Sequence, residues 1–430
     1  MSHARQQIEM VMPLFVVGIL AVVAAAPLLW WARREHRPVR SGRVAIIVGT
    51  GLLVVGMAAV GTAAWALTAT DTSQFARTLV WGDSRFGDQD RFPSREMAAS
   101  AEPVTFEVAA DSPVSGYVDP ASNASLEQIL ESTESTAFIV LHGDDLLYEG
   151  YLNGSSHESV QTSFSVAKSF VSTLVGIAIE DGFIDNLDEP LTNYIPELAD
   201  RDIRFGDITL RHLLVMSSGL SFDDGSSPWA DPANTYHGTN LRSAAINKPS
   251  IESPPGVVFD YNDWDVILLG LVLERATGMP VADYMAARLW QPMGAEADGS
   301  WSLDSDRHGF EKVFVGVNGR AIDFAKLGWL YLHDGRNRDR QVVPADFVAD
   351  ATRLDTTTDP APEYQYLWWI DQDRSSYYAH GDHGQFIYVD PTADLVIVRH
   401  GRNGDFEWIQ FLGELADWLA LQLDTSTFEE

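Results

Sequence analysis

Ser165 and Lys168, in the run Ser163-Phe164-Ser165-Val166-Ala167-Lys168-Ser169-Phe170, stand three residues apart at the head of an apolar stretch that continues through Leu174, Ile177 and Ile179. On a helix that spacing puts both side chains on one face. A serine hydroxyl is a poor nucleophile near neutral pH. An amine one turn away can accept or relay its proton, while the positive end of the helix dipole steadies developing negative charge. The plainer reading is a capping serine beside a surface lysine. With only four lysines in the chain, a chance Ser-x-x-Lys arises in roughly one of a few such chains, so on the motif alone the two readings balance.

Two further groups of chemically useful residues follow. Tyr261 lies in Phe259-Asp260-Tyr261-Asn262-Asp263, after Pro254-Pro255-Gly256 and ahead of the apolar run Val266 to Leu273. The alternative for Tyr261 is a half-buried aromatic. Asp263, if within hydrogen-bond reach of Lys168, favours the ammonium and raises the lysine pKa; otherwise it opens the helix and caps free N–H groups. The third group is Ala379-His380-Gly381-Asp382-His383-Gly384-Gln385, whose histidines are as readily loop hydrogen-bonding residues as catalysts. Tyr236 is a further candidate for lining a substrate cleft, Trp368 and Trp369 read as core, and His212 as structural.

These residues need a scaffold. Ala137–Leu141 and Leu146–Tyr151 flank the turn signal Gly143-Asp144-Asp145 and read as a β-hairpin. Helical patterns follow at Ser165, at Thr209–Met216 closed by Ser217-Ser218-Gly219, at Asp263 to the glycine cap at Gly278, over 280–290, and at Arg320–Leu332. Strand patterns return at 366–370, 377–379, 385–389 and 395–400, and a helix over 406–423 finishes the domain. Strands at both ends with helices between them predict an α/β (α+β) fold. Its antiparallel sheet is assembled from both ends of the domain, flanked by helices, around a helical middle. The predicted organisation is a membrane anchor over 1–70, a partly packed lead-in over 71–124 that is loose around Gly87–Asp90, the domain proper over 125–423, and a tail over 424–430.

The 430 residues include no cysteine, which excludes disulfides, thiol catalysis and cysteine-ligated metals and leaves the compartment to be read elsewhere. Residues 11–31 and 44–68 are uncharged, largely apolar runs, each long enough to cross roughly 30 Å of hydrocarbon. Between them Arg33, Arg34, Arg37, Arg40 and Arg43 face a single Glu35, and a short arginine-rich loop stays cytoplasmic. The expectation is a two-span membrane protein with both ends, and the catalytic domain, outside the cytoplasm. A cleaved signal peptide ending at Ala24-Ala25-Ala26 competes, but the second run and the arginines argue against it. Residues 1–70 carry six arginines and two glutamates, so the remaining 360 residues hold 23 basic and 59 acidic groups, an unfavourable balance for binding nucleic acid. Such an acidic surface suits either a salty medium or simple solubility.

In chain order, Ser165-x-x-Lys168, Tyr261 and the 379–385 motif resemble the serine beta-lactamase and penicillin-recognising hydrolase superfamily. Ile208-Thr209-Leu210-Arg211-His212-Leu213-Leu214-x-Met216-Ser217-Ser218-Gly219-Leu220 and Gly384–Pro391 look like its class C branch, and within it like the 6-aminohexanoate-dimer hydrolases and related esterases. The resemblance covers about residues 125–423. It implies no cofactor or metal and an acyl-enzyme on Ser165, with Lys168 as its proton partner and Tyr261 as general base and later acid. It also implies an oxyanion held by the backbone N–H of Ser165 and of Asp382. Two departures stand out. Tyr-x-Asn becomes Tyr261-Asn262-Asp263, and Lys-Thr-Gly becomes Ala379-His380-Gly381, which removes the cation that meets a beta-lactam carboxylate unless His380 or His383 supplies it. The resemblance therefore implies hydrolysis of a small-molecule or peptide-like ester or amide. A D,D-peptidase or beta-lactamase, and an inactive binding or sensory ectodomain, are the alternatives.

Overall fold

Ala137, Ile139 and Leu141 alternate with Phe138 and Val140, so strand Ser135–His142 is apolar on both faces and is buried on both. It occupies the interior of an eight-stranded sheet in the computed structural model, which describes residues 3–32, 39–355 and 360–426. The strand order is Tyr364–Gln365, Trp368–Ile370, Tyr377–Gly381, Gln385–Asp390, Leu395–Gly401, Ser135–His142, Asp145–Tyr151 and Glu107–Val108. Only the last pairing is parallel. Ile397 lies opposite Val140 and Val398 opposite Ile139, so the two ends of the domain meet in the middle of the sheet.

Helices cover both faces. Phe411, Leu412, Leu415 and Leu419 of helix Trp408–Ser426 share one core with Phe138, Val140 and Ile397. On the other face, helix Ala321–Leu332 sits close: a Cβ at Gly328 would lie 2.6 Å from Val396 and 2.9 Å from Ile387, so bare backbone is what lets the layers touch. Helix Ala167–Glu180 is buried on every side from Ala167 to Ala178, as befits a helix enclosed within a core. Helix Asp263–Thr277 packs against it, starting at an Asn262 cap that accepts from Trp264 N–H (2.9 Å) and ending at Gly278 with φ +69°.

Several details depart from the sequence pattern for identifiable reasons. The strand expected over 366–370 starts at Trp368, because Tyr366 and Leu367 adopt positive φ and break it from Tyr364–Gln365. Helix 280–290 is an α-turn, Val281–Met285, that widens into a π-turn, Ala286–Trp290. Gly87–Asp90 is an ordered 3-10 turn, Asp88–Asp90, whose buried Asp88 accepts from Arg85 N–H and pairs with Arg91 at 2.9 Å. A small second sheet, in the order Ser94–Met97, Gly299–Ser302, Val317–Gly319 and Gln161–Thr162, is made of pieces too short to carry a period.

The elements above belong to one compact unit, Arg85–Phe222 with Asn240–Glu430; the other is Met1–Ser84 with Asp223–Thr239. In the latter, helices His3–Ala32 and Val39–Thr68 pack antiparallel. Gly18 lies against Gly56 and Val60, and Gly49 against Ala25 and Leu29, close enough that a Cβ would collide. Within them Met12–Ala32 and Arg43–Thr68 are long and apolar enough to cross a membrane, and most of their side chains face outward. Arg33, Arg34, Glu35 and Arg37 of the basic loop lie outside the described residues, as do residues 427–430.

Candidate active site

The short strand Gln161–Thr162 delivers the chain to Ser163, which is held on both sides: its N–H donates to Val317 O (2.8 Å) and its Oγ accepts from Val317 N–H (3.1 Å). Phe164 then takes φ +44°, a strained conformation for a bulky residue, and turns the chain so that Ser165 is presented at the head of the 167–180 helix. Ser165 stays partly accessible while its neighbours are buried. The second sheet thus fixes the serine in space.

Lys168 is 1 % exposed. Its Nζ donates to Ser165 Oγ at 3.0 Å and to the Phe314 carbonyl at 3.2 Å, and pairs with Asp263 Oδ1 at 2.9 Å. The three N–H donors of an ammonium are thus placed among acceptors from three parts of the chain. Its nitrogen also lies 4.8 Å from the centre of the Tyr261 ring. Burial works against the charge. The Asp263 carboxylate and the Tyr261 hydroxyl outweigh it by charge and hydrogen bonding, and the amine is held above the ordinary lysine value.

Tyr261 is half-buried against aromatic neighbours, stacked on Trp369 (5.9 Å) and edge-on to Tyr364 (5.9 Å). Its loop is stitched to the Met216–Leu220 turn: Gly256 N–H reaches Ser217 O at 2.7 Å, Asp260 N–H reaches Met216 O at 2.9 Å, and Asn262 Nδ2 reaches Leu220 O at 3.1 Å. Asp265, fully buried, accepts from Ser218 Oγ at 2.6 Å and closes the same seam; burial drives its carboxyl well above the usual range. His212 caps its own helix through Thr209.

Gly381 ends its strand directly against the serine. A Cβ there would stand 2.5 Å from Ser163 O and 2.9 Å from Ser165 N, so the missing side chain keeps the space before the Ser165 N–H open. Asp382 follows in an exposed turn whose carbonyl accepts from Gln385 Nε2 at 3.0 Å. Beneath it the buried Arg399 donates to the His383 and Gly384 carbonyls at 2.7 Å each; burial lowers this guanidinium to about 9. His383 meets the Phe164 ring edge-on at 5.0 Å.

The structure therefore brings together Ser165, Lys168, Tyr261, Asp263, Gly381 and the backbone at Asp382. His380 is not among them. It alternates with Gly381 along the strand and stacks on Phe386 at 4.5 Å, on the opposite face of the sheet. Tyr236 belongs to the other unit, in helix Asp231–Tyr236, with its ring edge-on to His237. Sequence reasoning missed the Phe314 carbonyl, which has no side-chain signature, and Trp369, which lies against Tyr261 while Trp368 is core. It also passed over Asp265, although a carboxylate inside the run Trp264–Leu273 was a visible signal.

Known proteins resemble this chain in sequence and in fold. The Beta-lactamase family model matches residues 123–401. The 6-aminohexanoate-dimer hydrolase of Paenarthrobacter ureafaciens is 30 % identical over 361 residues, spanning 76 % of this chain and 86 % of that one. Esterase EstB of Burkholderia gladioli is 28 % identical over 228 residues, 49 % of this chain and 57 % of its own length. A solved Bacillus anthracis structure, provisionally described as a 6-aminohexanoate-dimer hydrolase, superposes with a TM-score of 0.68 at 24 % identity, covering 78 % of this chain and 92 % of that one. A matched family over most of the catalytic unit, a relative aligned along nearly its whole length and a shared fold lead to one statement: the chain belongs to the beta-lactamase family of serine hydrolases.

Proposed function

We propose that this chain is a membrane-anchored, extracytoplasmic hydrolase that cleaves a small ester or amide through an acyl-enzyme on Ser165. The observation that carries the reading is the 3.0 Å contact between Lys168 Nζ and Ser165 Oγ, with the lysine buried and Asp263 at 2.9 Å. The ammonium orients the serine oxygen and offsets negative charge, and the serine proton passes to the Tyr261 oxygen, which acts in this step as the phenolate. Ser165 Oγ bonds to the substrate carbonyl carbon. The carbonyl oxygen becomes an oxyanion, received by the Ser165 N–H and the backbone N–H of Asp382 in the space Gly381 leaves open. Collapse breaks the ester or amide bond, the leaving alcohol or amine takes the proton from Tyr261, and water repeats the sequence to release the acid.

The anchor reading is supported by the two long apolar helices and by the aromatic residues at their ends: Trp30 and Trp31 at one end, Trp65 at the other. Arg33, Arg34, Arg37, Arg40 and Arg43 between the spans favour a cytoplasmic loop, which leaves the hydrolase outside.

A fluorophosphonate probe tests the nucleophile. Wild-type protein is expected to be labelled on Ser165, and Ser165→Ala to stay folded, unlabelled and slower in turnover by several orders of magnitude. Near-wild-type hydrolysis by the alanine variant would overturn the assignment.

A further inference from the structure

Residues 223–239 leave the catalytic sequence between Phe222 and Asn240 and fold with the two apolar helices instead. The attachment is specific. Gln74 Nε2 donates to Pro228 O (2.8 Å) and Ala233 O (3.2 Å), and the buried Arg77 donates to Thr70 O (2.6 Å) and Gly238 O (3.2 Å). His237 Nε2 lies 3.0 Å from Gly82 O, with its ring edge-on to Trp81.

The tip of this segment is Trp229, 72 % exposed. Its backbone is not loose: the N–H donates to Ser227 Oγ and the carbonyl accepts from Asn234 Nδ2 at 2.7 Å, while Asp223 N–H reaches Asp231 Oδ2 at 2.9 Å across the neck. A single exposed apolar side chain is ordinary, whereas a large ring held out on an ordered turn and continuous with other aromatic rings forms a patch of the kind that marks an interaction surface. Trp229 stacks on Phe75 at 5.7 Å, and Phe75 meets Trp65 at 6.5 Å. Trp65 is the last aromatic of the second apolar helix, one turn from its end at Thr68, and is itself 45 % exposed. Three aromatic rings thus run without a break from within the helix to the loop tip. Tryptophan, apolar in its body with one N–H, is the side chain enriched at the boundary of hydrocarbon and headgroups. Asp223, Asp224 and Asp231 flank Trp229 in the sequence, so the segment joins one large apolar ring to carboxylates suited to the aqueous side of such a boundary.

We propose that the 223–239 segment is a membrane-interface element in which Trp229 inserts into the headgroup layer of the bilayer, continuing the aromatic belt begun by Trp65. This rests on the reading of Met12–Ala32 and Arg43–Thr68 as spans.

The cysteine-free chain allows a direct test. Single cysteines are placed in the full-length protein at Trp229, at Ser226 on the same turn, at Val55 in mid-span, and at Ile203, an exposed apolar residue of the catalytic unit. Each variant is labelled with an environment-sensitive fluorophore and reconstituted in phosphatidylcholine vesicles. Lipids spin-labelled near the headgroup are expected to quench the 229 probe several-fold more than the 203 probe, and aqueous iodide to quench it less. The Ser226→Cys variant, which keeps Trp229, is expected to show the same order. Quenching of the 55 probe by deep acyl-chain labels establishes the spans independently. If 55 is quenched while 229 and 226 behave like 203, the interface element is refuted and the anchor stands. If 55 also reports water, the anchor reading fails and this inference fails with it.

Discussion

Lys168 is held above the ordinary lysine value, and that has a definite sign in kinetics. A raised pKa keeps the ammonium present to higher pH, so the basic limb of the rate profile, where the ammonium is lost, lies high. Asp263→Asn removes the carboxylate 2.9 Å away and leaves burial unopposed by that charge. The expected outcome is a basic limb displaced to lower pH with acyl-enzyme formation retained. Superimposable profiles would make Asp263 a helix-opening residue only. Tyr261→Phe should lower kcat more than tenfold, consistent with the loss of one general base or acid, and pre-steady-state acylation rates measure it. Chemistry at this scale was readable in the sequence because it resides in side-chain identity and spacing. Asp263 was named as a conditional partner of Lys168, and the contact is present. The Phe314 carbonyl was not readable, because every residue has one and only folding decides which points at the lysine.

At the level of elements, what matters is how closely strand Tyr377–Gly381 approaches the turn before the 167–180 helix. Gly381→Ala places a methyl 2.9 Å from Ser165 N, in the space proposed for the oxyanion. The expected result is a fall in kcat of about 10²–10³, the scale of losing one oxyanion donor, together with a lowered thermal unfolding midpoint, because the same methyl would stand 2.5 Å from the Ser163 carbonyl oxygen. Near-wild-type kcat in the folded variant would mean that the space beside the Ser165 N–H is not used by the oxyanion. The sheet and the major helices were legible because their periods of 2 and 3.6 extend over many residues. The second sheet was not, since strands such as Gln161–Thr162 and Val317–Gly319 are two or three residues long and exist only through partners distant in sequence. His380 illustrates the same limit: its place in the motif suggested a site cation, but strand alternation turns it to the opposite face, against Phe386.

For the whole molecule, a reporter fused after Glu430 is expected to be active only outside the cytoplasm, and replacing the five arginines of residues 33–43 should scramble orientation. Protease accessibility of residues 125–423 in intact spheroplasts measures it; complete protection would mean the reverse topology. The apolar runs were plain in composition, whereas the recruitment of residues 223–239 into the same unit was not, because nothing in Pro-, Ser- and Asp-rich loop chemistry names its partner. That recruitment changes how the two units are joined along the chain. The polypeptide passes between the two units at residues 84/85, 222/223 and 239/240, three crossings where a simple tether has one. A single proteolytic nick at 84/85 would sever the N-terminal piece covalently yet leave it gripping the 223–239 segment through Gln74, Arg77 and Trp81. Conversely, a version of the chain beginning at Arg85 carries that segment with its partners deleted and Trp229 unsupported. On the reading of the apolar helices as a membrane anchor, one cut would not shed the hydrolase, and its release would require excision at two places in the sequence.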